Sequence, residues 1–194
     1  MIPSRTEAAA VLLDLSPSAR LVRHATAVAE VAAFLAERIE RCGLPVDRRL
    51  VESAALLHDM DKALPRDDPY RALGHGRAGA RWLSEHGYPE LAPAVADHPV
   101  VRLSDVGYPE WAATAPIEDR IVAYADKRAA QRLGHLDVRF ARWYERHPEY
   151  LDALRLARTR AELLENEVCA AAGVEPGEVG RLRWVSAALD RAGR

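Results

Sequence analysis

The chain has 194 residues, a length that suits one domain with or without a small appendage and that can bury a sizeable core. Of these, 49% are hydrophobic and 29% are charged, the balance of a folded globular chain rather than a disordered one. With 27 basic against 29 acidic residues the formal net charge is −2. That argues against a protein that coats duplex nucleic acid, but a small nucleotide needs only a local basic patch.

Cys42 and Cys169 stand far apart and form no CxxC spacing, so neither a disulfide framework nor a cysteine zinc site is expected, and the chain reads as intracellular. The apolar run Ala8 to Leu13 is short and bracketed by Glu7 and Asp14, unlike a signal peptide. No stretch approaches the roughly 20 apolar residues of a membrane span. A cytoplasmic protein without a membrane partner is expected; the sequence carries no mark of oligomeric state.

Apolar residues recur at helical spacing almost throughout, and strand-like alternation is nearly absent, so the fold class is all-α. Ser4-Arg5-Thr6-Glu7 fits a capping box opening a short first helix. Ser16-Pro17 fits an N-cap with proline at the first helical position, starting a helix that runs to about Cys42, where Gly43 and Pro45 stop it. A third helix is expected from Asp47 to about Asp59, then a loop rich in Pro and Asp over Pro65 to Pro69. Further helices are expected over Gly76–Glu85, Glu90–Asp97 and Ile117–Leu133, the last two separated by a long loop from Pro99 to Pro116. A long helix or broken pair follows over Val138 to about Ala172, then a turn at Glu175-Pro176-Gly177 and one more helix. No domain boundary is visible.

Chemistry concentrates in the histidines. His24 shares a helical face with Leu21, Val28, Val31 and Leu35. A buried imidazole needs a partner, and either a metal or a carbonyl oxygen would serve. His58 and Asp59 end the third helix, whose inward face carries Leu50, Ala54, Leu57 and His58. Successive helix residues point about 100° apart, so one ion could meet both only at the edge of that face. The plainer explanation of the pair is a histidine favoured by the helix dipole. Asp126 sits beside the buried face of Val122, Ala125, Ala129 and Leu133, as a ligand or as an ordinary surface ion-pair residue. His98 follows Leu91 and Val95 at helical spacing, and His75 is flanked by Gly74 and Gly76, where a backbone turn can aim its ring. His86, His135 and His147 sit at helix ends without an apolar stripe and read as surface residues. Imidazole and carboxylate together suit zinc, iron, manganese, cobalt or nickel, and ligands donated singly from separate helices are how bundle metal sites are built.

The order helix histidine, His-Asp doublet, distant aspartate, here His24, His58-Asp59 and Asp126, resembles the HD-domain superfamily of metal-dependent phosphohydrolases. With His75 and His98 in between, it is similar to the small bacterial members that act on nucleotides or dinucleoside polyphosphates. The likeness covers roughly residues 20–135; the stretch from about Leu136 falls outside it. It implies an HD-domain helical bundle, one HD domain over 1–194 with a C-terminal helical extension over 136–194. His24, His58, Asp59 and Asp126 would bind one divalent transition ion, and His75 and His98 a second, bridged by Asp59. Iron or manganese is favoured, with zinc, cobalt and nickel possible. Asp59 is thereby the central catalytic carboxylate. Lys62, Lys127 and Arg128 are close in sequence to the ligands and are expected to contact substrate phosphate, Lys62 with a catalytic role. Asp61 stands where such relatives often carry a small residue, in Met60-Asp61 instead of Ile-Gly or Ile-Ala, and is expected to take a proton or orient water. The implied activity is cleavage of a phosphate ester or anhydride of a nucleotide-like substrate. A nucleotide-binding regulator without turnover, and an all-α scaffold with histidines in its core, are the alternatives.

Overall fold

The computed structural model describes residues 1–130 and 133–179. Its helices are α1 (Arg5–Asp14), α2 (Ala19–Arg41), α3 (Arg48–Leu57), α4 (Arg77–Glu85), α5 (Ala92–Asp97), α6 (Val100–Leu103), α7 (Tyr108–Thr114), α8 (Ile117–Arg128), α9 (Leu136–Arg146), α10 (Leu151–Ala172) and α11 (Pro176–Val179). Single turns of 3-10 helix occupy Met60–Ala63, Pro69–Leu73, Pro89–Leu91 and Pro148–Tyr150. The fold is all-α: no strand is present among the described residues, and none of their helices is long and apolar enough to cross a membrane.

Helix α2 is the axis of the bundle. From Ala25 to Ala32 it is buried on nearly every side, so it must be wrapped by other helices. Its small residues Ala25, Ala29, Ala32 and Ala36 let neighbours approach, while Val28, Val31, Leu35 and Ile39 fill the spaces between them. Helices α3 and α8 pack on α2 and on each other, α5 closes against α3 and α8, and α10 lies across α2, α6 and α8. The core is continuous through these elements, with Val51, Ala54 and Leu57 of α3, Ile121, Val122 and Tyr124 of α8, and Leu164 and Val168 of α10.

The first helix opens with both bonds of the capping box, between Ser4 and Glu7. The second departs from expectation. Ser16 takes a left-handed backbone (φ 53°), and the N-cap is Ser18, whose hydroxyl accepts from Leu21 N. The expected loop from Pro99 to Pro116 holds two short helices, α6 and α7, each starting at or beside a proline. Helix α8 ends at Arg128, because Ala129 turns to extended backbone (φ −111°, ψ 117°). The C-terminal pair breaks at His147-Pro148, and Pro176-Gly177 begins α11 instead of forming a plain turn. The helix expected at the very end lies outside the described residues.

Candidate metal centre

Four histidines converge on two carboxylates at the junction of α2, α3, α5 and α8. His24 projects from the first half of α2. The doublet converges because the α-helix stops at Leu57. His58 is its C-cap, and Asp59 adopts a bridge-region backbone (φ −104°, ψ 13°) before the chain tightens into the 3-10 turn. That change of winding removes the 100° divergence that a continued helix would impose, so the helix ends two residues earlier than expected for a reason that serves the site. His98 is the C-cap of α5, stopped by Pro99. His75 is held by the turn between Gly74 and Gly76, with φ values of 81° and 82°, which favour glycine.

Every ring is anchored through Nδ1. His58 Nδ1 lies 2.7 Å from the Ala55 carbonyl, His98 Nδ1 2.6 Å from that of Val95, and His24 Nδ1 3.2 Å from that of Ala130. A carbonyl only accepts, so Nδ1 carries the proton and a neutral ring aims the lone pair of Nε2 inward. His75 differs, because its Nδ1 faces the buried Asp61 carboxylate at 3.0 and 3.2 Å. Asp61 therefore orients a ring, instead of standing in solvent or acting on water.

The inward nitrogens meet in pairs, His24 Nε2 to His58 Nε2 at 3.2 Å and His75 Nε2 to His98 Nε2 at 3.2 Å. Two neutral rings so close would set lone pair against lone pair, which either a proton shared between them or a metal ion relieves. Asp59 Oδ2 is 3.3 Å from His24 Nε2 and 3.6 Å from His58 Nε2, while its Oδ1 is 3.2 Å from His75 Nε2 and 3.4 Å from His98 Nε2. Asp126 Oδ1 lies 3.2 Å from His24 Nε2 and 3.7 Å from His58 Nε2. A metal with ligands at about 2.1 Å holds adjacent ligand atoms about 3.0–3.4 Å apart, so these separations suit a shared ion. Two triads with one shared member result, His24-His58-Asp59 and Asp59-His75-His98, each with its ligand atoms within 4.8 Å of one another. Asp59 Oδ1 is buried between the triads and accepts no well-directed hydrogen bond, although the Lys62 ammonium lies 2.7 Å from it. The donor set fits divalent transition metals.

The titration behaviour follows from the same geometry. Burial pushes His58 down to about 3, and burial likewise lowers His98, so both rings stay neutral. Burial also opposes charge on His24 and His75. Hydrogen bonds donated to Asp126 and Asp59 outweigh it at His24, and those donated to Asp59 and Asp61 outweigh it at His75, lifting each to about 9. In each pair one ring is thus neutral and its partner holds a proton where a metal ion would otherwise balance the charge. Burial opposes ionisation of Asp59 as well, but His58 and the three other rings hold it well below the usual carboxylate range.

The cluster opens into a cavity of about 520 Å³, within the range of small-molecule sites. His24, Asp59, His75 and Asp126 form its floor, with Pro99, Val100, Val101 and Trp143 on the walls. Lys62 is half-exposed at the rim, its Nζ 2.7 Å from Asp59. Lys127 and Arg128 do not line the cavity. Lys127 is buried, with Nζ on the His98 carbonyl and on Asp126 Oδ2. Arg128 turns the other way, pairing with Glu165 of α10 and reaching the Tyr124 hydroxyl and the Pro176 carbonyl. Three successive residues of a helix point in three directions, so proximity to Asp126 in sequence did not translate into proximity to the cavity. The basic side chains at the cavity besides Lys62 are Arg20 and Arg139. Neither was singled out from sequence; Arg139 and Trp143 are four apart on α9, and that spacing was the available signal. His86 stacks on Trp82 and His147 pairs with Glu149, away from the cluster.

A comparison with family models matches the chain over residues 21–131 to the family described as HD domain, the span that contains all six clustered histidine and aspartate side chains. No curated protein and no solved structure matches the chain.

Proposed function

We propose that this chain, which belongs to the HD domain family, hydrolyses a phosphate ester or anhydride of a small nucleotide-like molecule. The family is one of metal-dependent hydrolases that bind divalent metals and act on small-molecule substrates. The observation that carries the reading is the pair of triads sharing Asp59 on the floor of an accessible cavity. In this reading His24, His58, Asp59 and Asp126 hold one ion, and Asp59, His75 and His98 a second, iron or manganese in preference to zinc, cobalt or nickel. Bound there, divalent ions polarise a phosphoryl oxygen and bring the pKa of water toward about 7.

The remaining work falls to the protein's own groups. The Nδ1 contacts of His24, His58 and His98 to carbonyls and of His75 to Asp61 fix the rings before any ligand arrives. Lys62 sits beside Asp59 at the rim and offers its ammonium to a phosphate oxygen. Positioning and charge neutralisation are what phosphoryl transfer asks of a protein. The cavity volume suits one small molecule in place of a polymer.

The test joins elemental analysis of protein purified without chelator to a phosphatase and phosphodiesterase screen with iron and manganese. Bound metal and turnover are expected in the parent, with both lost in His58→Ala and Asp59→Ala. Full activity in either variant sinks the proposal. Tight nucleotide binding without product over long incubation turns the reading to a regulatory protein.

A further inference from the structure

Helix α9 begins after the family match ends, yet it supplies a cation to the floor of the cavity. Arg139 Nη2 is 3.2 Å from Asp126 Oδ1 and 3.2 Å from the carbonyl of the same residue, and that Oδ1 is itself 3.2 Å from His24 Nε2. The guanidinium carbon sits 4.9 Å over the ring of Trp143, one helical turn further on. Stacking on an indole and the two Nη2 contacts to Asp126 fix both the plane and the direction of the guanidinium. Arg139 and Trp143 both line the cavity.

Arg139 is not needed merely to balance Asp126. The buried ammonium of Lys127 already does that from the opposite side, 3.3 Å from Oδ2. Arg139 approaches from the cavity side; Nη2 makes both contacts to Asp126 and Nε is buried, which leaves the two Nη1 donors. The ordered cation therefore has donors left for an anion standing against the cluster.

We propose that Arg139 is a catalytic residue that contacts the phosphoryl group of the substrate, with Trp143 as the positioning residue that holds its guanidinium. The proposal rests on the phosphohydrolase reading above and assigns to α9 a part of the active site that the matched domain does not contain. Its ligand chemistry is a tetrahedral oxyanion, and inorganic phosphate is the probe.

The experiment compares the parent with Arg139→Gln, Arg139→Lys, Trp143→Ala and Trp143→Phe. It reads kcat and KM on the best substrate of the screen, competitive inhibition by inorganic phosphate, and bound metal. Loss of one preorganised donor at a developing charge is expected to lower kcat by on the order of 10²-fold in Arg139→Gln, with phosphate inhibition weakened and metal content unchanged. Arg139→Lys recovers little, because an ammonium has no planar face to stack on Trp143 and no second nitrogen to reach the anion while the first holds Asp126. Trp143→Ala falls between the parent and Arg139→Gln, and Trp143→Phe, which keeps an aromatic face, restores most of the loss. Unchanged kcat and phosphate inhibition in Arg139→Gln overturn the proposal. So does a parallel fall in metal content, which makes Arg139 a brace for Asp126 alone. Should Arg139→Gln not fold, equal kcat and phosphate inhibition in the two Trp143 variants overturn it. A parent without turnover or phosphate inhibition overturns the phosphohydrolase reading itself, a result distinct from any Arg139 outcome.

Discussion

Asp61→Asn separates the two triads. His24, His58 and His98 are steered by backbone carbonyls, which no side-chain substitution removes, whereas His75 is steered by the Asp61 carboxylate at 3.0 Å. Its side chain is also 36% exposed, against 1% for His98, so packing restrains it least. Loss of such an outer partner costs about 10–100-fold in metal affinity, or about 1.4–2.7 kcal/mol. Asparagine keeps an acceptor oxygen and belongs near the tenfold end, alanine near the hundredfold end. A second effect opposes this one. Asp61 helps raise His75 to about 9, so at about pH 7 the ion must displace a proton, and the substitution reduces that cost. Manganese titration calorimetry of chelator-stripped protein, repeated between about pH 7 and pH 9, resolves the two effects. The weaker of two binding steps should lose affinity in Asp61→Asn, with the deficit growing as pH rises and proton competition fades, while the tighter step stays put. Equal shifts in both steps, or none in either at the alkaline end, refute the assignment of Asp61 to His75.

Other predictions concern protons, packing and the His75 turn. Metal binding at about pH 7 should release protons from His24 and His75, seen as a dependence of the calorimetric heat on the buffer's ionisation enthalpy; an identical heat in all buffers contradicts the raised values. A histidine lifted from 6.5 to about 9 contributes stability in full below 6.5 and loses it as pH climbs through about 9. The thermal midpoint of metal-free protein should therefore carry a falling contribution over that window, while the stabilisation conferred by metal grows. Glu165→Ala strands the buried Arg128 and should cost about 3–5 kcal/mol in denaturant unfolding without changing metal stoichiometry; a loss below about 1 kcal/mol would place Arg128 outside the structural network. Gly76→Ala forces a left-handed residue whose Cβ meets Pro99 Cγ at 2.7 Å and the Ala96 carbonyl at 2.9 Å. It should lower stability by roughly 1–3 kcal/mol and weaken the second metal step; a fully stable variant with both steps intact rejects that account.

How much was legible in the sequence depended on whether a signal was local. The capping box at Ser4 and the all-α class follow from short-range patterns and appear in the structure. The six clustered side chains were legible because ligands on separate helices leave separate marks, each beside an apolar stripe or a glycine pair. Lys127 and Arg128 misled because adjacency along a helix separates directions instead of sharing them. The convergence of His58 and Asp59 depends on a change from α to 3-10 winding, which the residues Leu57 to Met60 do not announce. Arg139 and Trp143 left only their spacing of four as a signal, for another reason. Their place at the cavity arises from α9 folding back over α8, a tertiary event with no counterpart in the resemblance.

The contact between His24 Nδ1 and the Ala130 carbonyl closes a span of 106 residues. No fragment emerging from synthesis can hold the first triad together with Asp126 until α8 has been made and docked on α2. An ion held by these side chains would therefore meet its complete ligand set late, after the loop-closure entropy of that long span has been overcome. In small zinc modules the metal organises the chain; here the chain must first organise itself, and an ion bound at the cluster would report that assembly of the bundle is complete.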